Sequence, residues 1–226
     1  MELAAWRTMI RQRRTPRYNI APGQDVPVCR VSPEGRLECL DMRWGLVPRW
    51  STEAHPRFST INARAETITT KPTYRGPFQR QRCLIPADGW YEWQEIQERK
   101  KQPYWFHLSD DRLFFFAGIW DHWEGQQGAV AMTSCSIIVT EANETVRPIH
   151  GRMPVIITPE DYDAWLDPMN TETHRLKHLL RPYGKDDLHT YPVSRQVNNP
   201  RVDGPQCVLQ VESTVKEVPA HLKKML

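Results

Sequence analysis

Three short blocks of this chain each strand polar residues among apolar neighbours or between Gly and Pro. Asn62 and Arg64 stand in Ile-Asn-Ala-Arg (61–64), and Glu92 stands between two tryptophans in Ala-Asp-Gly-Trp-Tyr-Glu-Trp (87–93). His150 and Arg152 stand in Pro-Ile-His-Gly-Arg-Met-Pro (148–154). A carboxylate wedged among aromatic rings is costly to ionise unless it is paired, so its pKa tends upward. Acid–base chemistry near neutral pH uses groups tuned in that direction. Each block alone also fits a buried polar side chain satisfied by backbone, because structural networks perturb pKa values too.

The elements that must hold these residues read as short strands with a few helices. Val26–Val31 and Leu37–Leu46 flank Ser-Pro-Glu-Gly, the pattern of a hairpin with a Gly-containing loop. Further strands are expected at 83–86, 90–97, 103–108, 113–120, 135–140, 153–157, 189–193 and 207–211. Nine tryptophans and many β-branched residues suit pleated, half-buried surfaces. Helices are expected at 141–147, 159–166 and 172–180, the second opening with Thr158 as N-cap and Pro159 in its first turn. Strands without regular βα alternation predict an α+β fold, mostly antiparallel, with the sheet curled toward a barrel and a few peripheral helices.

At 226 residues the chain fits a single domain. Residues 1–16 are read as a truncated or flexible arm, and 213–226 as a loose tail. Nineteen prolines are scattered rather than clustered, so no linker is apparent. The net charge of +3 permits nucleic-acid binding without arguing for it, but Arg7, Arg11, Arg13, Arg14 and Arg17 fall in a stretch that contains no acid. That stretch fits a phosphate-contacting arm or a solvated terminus. Five cysteines without a Cys-x-x-Cys pair suggest neither a disulfide framework nor a zinc knuckle. No signal peptide or membrane-length apolar run is visible, so a reducing cytoplasm, a monomer and no membrane partner are expected. His174 and His178, four apart on an expected helix, have no third ligand nearby. No metal and no cofactor are called for.

Taken in order, eight blocks resemble the SOS-response-associated peptidases, also called abasic-site processing proteins. They are Arg-Tyr-Asn-Ile-Ala-Pro-Gly (17–23), Met-Arg-Trp-Gly-Leu-Val-Pro-Arg-Trp (42–50), Ile-Asn-Ala-Arg-Ala-Glu-Thr (61–67) and Ala-Asp-Gly-Trp-Tyr-Glu-Trp. Lys-Gln-Pro-Tyr (101–104), Phe-Ala-Gly-Ile-Trp-Asp (116–121), Ile-His-Gly-Arg-Met-Pro-Val (149–155) and Pro-Val-Ser-Arg-Gln-Val-Asn-Asn (192–199) complete the series. Members of that family begin Met-Cys-Gly-Arg and use the cysteine, exposed by loss of the methionine, as nucleophile. Here Glu2 stands where that cysteine is expected. Either the start lies further upstream, or this member lacks the nucleophile.

The resemblance implies chemistry on single-stranded DNA containing abasic sites, whose ring-opened aldehyde is attacked by amines. An N-terminal amine with a pKa near 7.7–8 is roughly a quarter to a third free base at about pH 7.4, far more than a lysine. A terminal cysteine then closes a thiazolidine ring on the imine. By the same resemblance Asn62 orients the reacting amine or sugar, Glu92 is the general acid–base, and His150 passes a proton to the sugar ring oxygen. Arg64 and Arg152 would hold phosphates, although a structural ion pair with Glu66 or Asp88 is the alternative for each. Trp50 would stack on or wedge against bases, with Pro22 and Thr140 lining the groove. Lyase activity and self-processing release of the initiator methionine are implied as well. A DNA binder without crosslinking activity and a peptidase acting on other proteins are the other classes. The catalytic reading requires Asn62, Glu92 and His150 to meet in one pocket at a basic trench.

Overall fold

A computed structural model describes residues 15–32, 34–54, 59–97, 100–126 and 128–212. The arm read over 1–16 and the tail over 213–226 lie, but for residues 15 and 16, outside the described residues. So do Arg7, Arg11, Arg13 and Arg14 of the basic stretch.

Eleven strands and three short α-helices are present among the described residues. β1 (Asp25–Val31), β2 (Leu37–Trp44), β4 (Arg82–Ala87), β7 (Phe114–Trp123) and β8 (Met132–Glu141) close a five-stranded ring in the order β7-β4-β1-β2-β8 and back to β7. Every pairing in the ring is antiparallel except β2 with β8. β3 (Asn62–Arg64) joins β8 in parallel, while β9 (Arg152–Pro154) and β10 (Ile156–Ile157) pair antiparallel with β8 and β7. A second antiparallel sheet has the order β11-β6-β5, built from β5 (Gly89–Gln97), β6 (Lys100–Leu108) and β11 (Leu188–Pro192).

Strand alternation sorts the apolar residues into two layers. Val28, Met42, Cys83, Ile85, Cys135 and Ile137 form one cluster, filling the ring and continuing to Trp90 and Phe106 of the second sheet. Trp90 stacks on Phe106 at 5.0 Å and meets Phe114 and Phe116 edge-on, which joins the two sheets. Gly118 is required where β7 crosses this interior, since a Cβ there would lie 2.8 Å from Cys83 Sγ and 2.9 Å from Ile85 Cδ1. The other faces of β1, β4 and β7 offer Cys29, Leu84, Phe115, Ala117 and Ile119 to Phe78 of α1 (Pro72–Arg80), Trp165 of α2 (Tyr162–Leu166) and Leu176 of α3 (Thr173–Leu176).

Several expectations are corrected. No helix forms over 141–147: Glu141 ends β8 and the turns run over 144–149, because Asn143 Oδ1 takes the Val146 N–H and its amide reaches Tyr183 O. Residues 207–211 do not form a strand. Pro205–Val208 is a 3-10 turn, followed by a single bridge from Gln210 to Val193. The strand expected at 153–157 splits at Val155, where the chain passes from β8 to β7 as partner. Thr158 makes no side-chain cap. Cys29 and Cys39, directly opposed across β1 and β2 with Cα atoms 4.2 Å apart, form a disulfide. That separation is characteristic of a non-hydrogen-bonded antiparallel pair, where facing side chains come closest. The pair follows from the hairpin register, with Val31 opposite Leu37, and not from any cysteine motif.

α1 was not anticipated. Its sequence, Pro-Thr-Tyr-Arg-Gly-Pro-Phe-Gln-Arg, has poor helix propensity. It is held instead by burial of Phe78 against Trp165 and by Arg82, whose guanidinium donates to Phe78 O at 2.9 Å and Gln79 O at 2.8 Å. The same buried side chain reaches Trp165 O, Asp167 O and Asn170 O, so one cation caps α1 and fastens the chain around α2 to it.

Candidate active site

Glu92 and His150 meet where the second sheet approaches the turn before β9. Glu92 lies in mid-β5 opposite Tyr104, and its side chain is 20% exposed. His150 ends a loop whose last turn is closed by the bond from His150 N to Val146 O. That loop is further held by Gln94 Nε2, which donates to Pro148 O at 3.0 Å. The Nδ1 atom of His150 stands 3.5 Å from Glu92 Oε2. Burial pushes the Glu92 carboxyl up to about 7, with His150 partly opposing the rise.

The backbone of Arg152 gives His150 an unusual setting. Nδ1 is 3.0 Å from Arg152 O and 3.2 Å from Arg152 N. A protonated Nδ1 donates to the carbonyl or to Glu92, and a bare Nδ1 accepts the N–H. Either state of that nitrogen therefore finds a partner without movement of the chain, an arrangement suited to handing a proton back and forth with Glu92. Glu92 and His150 line a pocket of about 480 Å3 with Trp93, Lys101 and Asn198.

The other predicted residues are placed as follows. Asn62 and Arg64 are exposed at the two ends of β3, one strand away across β8 from Arg152. Asn62 does not line the pocket, and its carbonyl accepts from Tyr74 Oη at 3.3 Å. Arg152 Nη1 is paired with Glu66 Oε1 at 2.6 Å, the ion pair weighed against phosphate binding from sequence. Both partners are partly exposed, so this bridge is worth about 0–1 kcal/mol and yields readily to a stronger anion. Pro22 is exposed in the turn before β1. Trp50 is 56% exposed but faces a different and larger groove, of about 1200 Å3, with Arg49, Arg75 and Arg80. Buried Asp121 holds that loop by accepting from the Arg49 N–H and guanidinium. Thr140 departs from its expected role. It is buried, and its hydroxyl donates to Leu180 O at 3.3 Å, so the side chain does not reach a groove.

The sequence reading used Trp93 only as an aromatic neighbour of Glu92 and left Lys101 and Asn198 without a role, although all three lie in the blocks quoted above. Their convergence depends on the β5–β6 register and on the 3-10 turn Arg195–Asn198, neither of which is visible in residue types.

The profile of the SOS response associated peptidase (SRAP) family matches residues 2–200. The chain belongs to the SOS response associated peptidase family. It is 41% identical over 194 residues to abasic site processing protein YoqW of Bacillus subtilis (strain 168), which covers 85% of each chain. Over 236 aligned positions it is 35% identical to abasic site processing protein HMCES of Gallus gallus, spanning 91% of this chain and 69% of that one. Among solved structures, a protein from Bacteroides thetaiotaomicron superposes with a TM-score of 0.73 at 29% identity, over 84% of this chain and 82% of the other. The shared fold therefore extends over most of the chain.

Proposed function

We propose that this chain processes abasic sites in single-stranded DNA, with Glu92 and His150 moving protons while the ring-opened sugar aldehyde is attacked. One observation carries the reading: a carboxyl raised to about 7 and an imidazole 3.5 Å away, sharing a pocket in a family whose relatives bear the abasic-site name.

Imine formation joins the attacking amine nitrogen to C1′ and expels the aldehyde oxygen as water. Protonated Glu92 supplies the proton that makes that oxygen a leaving group, and the resulting carboxylate takes one back as the ring closes. His150 serves the sugar ring oxygen during opening, its Nδ1 reset by the Arg152 backbone. Of the three residues required to converge, Glu92 and His150 share the pocket; Asn62 stands outside it at the head of β3 and is assigned only to a part of the substrate that extends beyond the pocket. Arg64 and Arg152 receive phosphates, Arg152 exchanging its Glu66 contact for one. Trp50 stacks on bases further along the strand, and Pro22 borders the path. β-Elimination of the 3′ phosphate and removal of a leading methionine are further reactions open to the same groups. None of these steps calls for a cofactor.

The test uses the protein bearing an N-terminal Met-Cys-Gly-Arg, an abasic single-stranded oligonucleotide and a denaturing gel. Glu92→Gln and His150→Ala should each slow appearance of the covalent band by roughly 100-fold or more, the usual size of a general acid–base contribution, with little change in affinity. A Glu92→Gln protein that reacts at the parent rate would refute the assignment.

A further inference from the structure

We propose that Trp93, Lys101 and Asn198 form a nucleotide subsite, holding the base and phosphate next to the reacting sugar. This inference rests on the proposed abasic-site reading and deepens it. A deoxyribose without its base leaves much of a 480 Å3 pocket unfilled, and these three residues supply the rest of the wall beyond Glu92 and His150.

Their chemistry is directional. Trp93 Nε1 donates to Asn198 Oδ1 at 2.7 Å. An indole N–H is a donor only, so the amide oxygen of Asn198 must face it, and what that side chain has left to offer is its NH2 group. Lys101 adds an ammonium with three donors and no acceptor. The wall is thus an aromatic surface flanked by donors and a positive charge, complementary to a base with its phosphate. It is ill suited to a cation or to a neutral apolar ligand.

The wall is also built rather than incidental. Trp93 packs against the cluster of Trp105, Val193, Val197 and Cys207. The turn bearing Asn198 is anchored by Asn19, a buried amide whose Nδ2 lies 3.0–3.2 Å from the carbonyls of Val197, Asn199 and Val202. Asp203 fixes Asn19 in turn, accepting from the N–H groups of Tyr18 and Asn19. The subsite gives a physical purpose to two sequence blocks, at 101–104 and 192–199, that the catalytic reading leaves idle, and to Asn19 in the block at 17–23.

The experiment measures binding by fluorescence anisotropy, using the chain as it stands. The probes are single-stranded oligonucleotides with one tetrahydrofuran abasic analogue, flanked either by bases or by further analogues. Removing the neighbouring bases should weaken binding of the parent protein by about 5- to 150-fold, the range for one stacked base. Lys101→Gln should weaken binding and lower the log–log salt slope by about 0.7, one single-strand phosphate contact. Asn198→Ala should weaken binding of the base-flanked probe more than that of the analogue-flanked one. Both substitutions are at accessible positions and avoid the core. Unchanged affinity and salt slope in Lys101→Gln, or no discrimination by the parent between the two probes, overturns the subsite while leaving the abasic-site reading intact. A parent that binds neither probe overturns both.

Discussion

Replacing Glu92 by Gln should make the protein more stable at alkaline pH while removing its acid–base group. Burial raises this carboxyl from 4.5 to about 7. The folded pKa exceeds the unfolded one, so ionisation opposes folding. The cost is absent below about pH 4.5, where both states hold the proton, grows as pH rises toward 7, and stands in full above that. At 1.36 kcal/mol per pKa unit the rise corresponds to about 3 kcal/mol, and water reaching the exposed fifth of the side chain brings this to about 2. Gln has the shape of the protonated acid and cannot ionise. In urea unfolding at about pH 8 the variant should therefore gain about 2 kcal/mol over the parent, and the gap should close at about pH 4.5. A variant no more stable than its parent at the higher pH, or a gap of equal size at both, would show that desolvation of Glu92 does not set its pKa. The catalytic argument would then lose its physical basis.

Three other outcomes test the frame around the site. Arg82→Met should cost about 3–5 kcal/mol by urea unfolding, because it takes the Arg82 donors away from the buried carbonyls of Phe78 and Trp165 and the partly buried one of Gln79. Arg82→Lys should recover little of that, since one ammonium cannot span the fork's acceptors. Gly89→Ala should lower stability by about 3 kcal/mol or more, read as a fall in thermal midpoint, since its Cβ would lie 2.4 Å from Phe106 O and 2.2 Å from the Trp105 ring. Thiol titration in denaturant should find three free groups without reductant, those of Cys83, Cys135 and Cys207, and all five after reduction. Reduction should cost about 2–3 kcal/mol, the loop-closure value for a separation of 10 residues.

The ring was legible where pattern and position agreed. Runs such as Phe-Phe-Phe-Ala-Gly-Ile-Trp in β7 and Ser-Cys-Ser-Ile-Ile-Val in β8 are buried on both faces, so their type could be read without knowing their partners. What remained hidden depends on partners distant in sequence. α1 exists because Arg82 and Trp165 receive it, and nothing in its own nine residues says so. β3 has only three residues, too few for a period, and is a strand because β8 continues past its pairing with β2, which ends at Cys135, and leaves that edge to fill.

The site divides along the same line. Glu92 was recognisable because its tryptophan neighbours are adjacent in sequence, and burial needs no distant partner to be inferred from them. Its coupling to His150 rests on the loop 142–150 folding back on β5 through Gln94, a contact that no local spacing encodes. Thr140 shows the converse error. The family resemblance placed it on a groove, yet near the end of β8 it is buried and its hydroxyl donates to Leu180 O. A polar residue flanked by apolar ones is therefore ambiguous between chemistry and packing until its acceptor is known. For Glu92 the deciding fact is that the group 3.5 Å away is an imidazole and not a fixed cation. A structural ion pair would join the carboxylate to a fixed cation such as Arg, as Asp121 is joined to Arg49, and its pKa would not climb toward neutrality. A carboxyl left to share protons with an imidazole instead forgoes that stabilisation, which is what a group that must gain and lose a proton in each turnover requires.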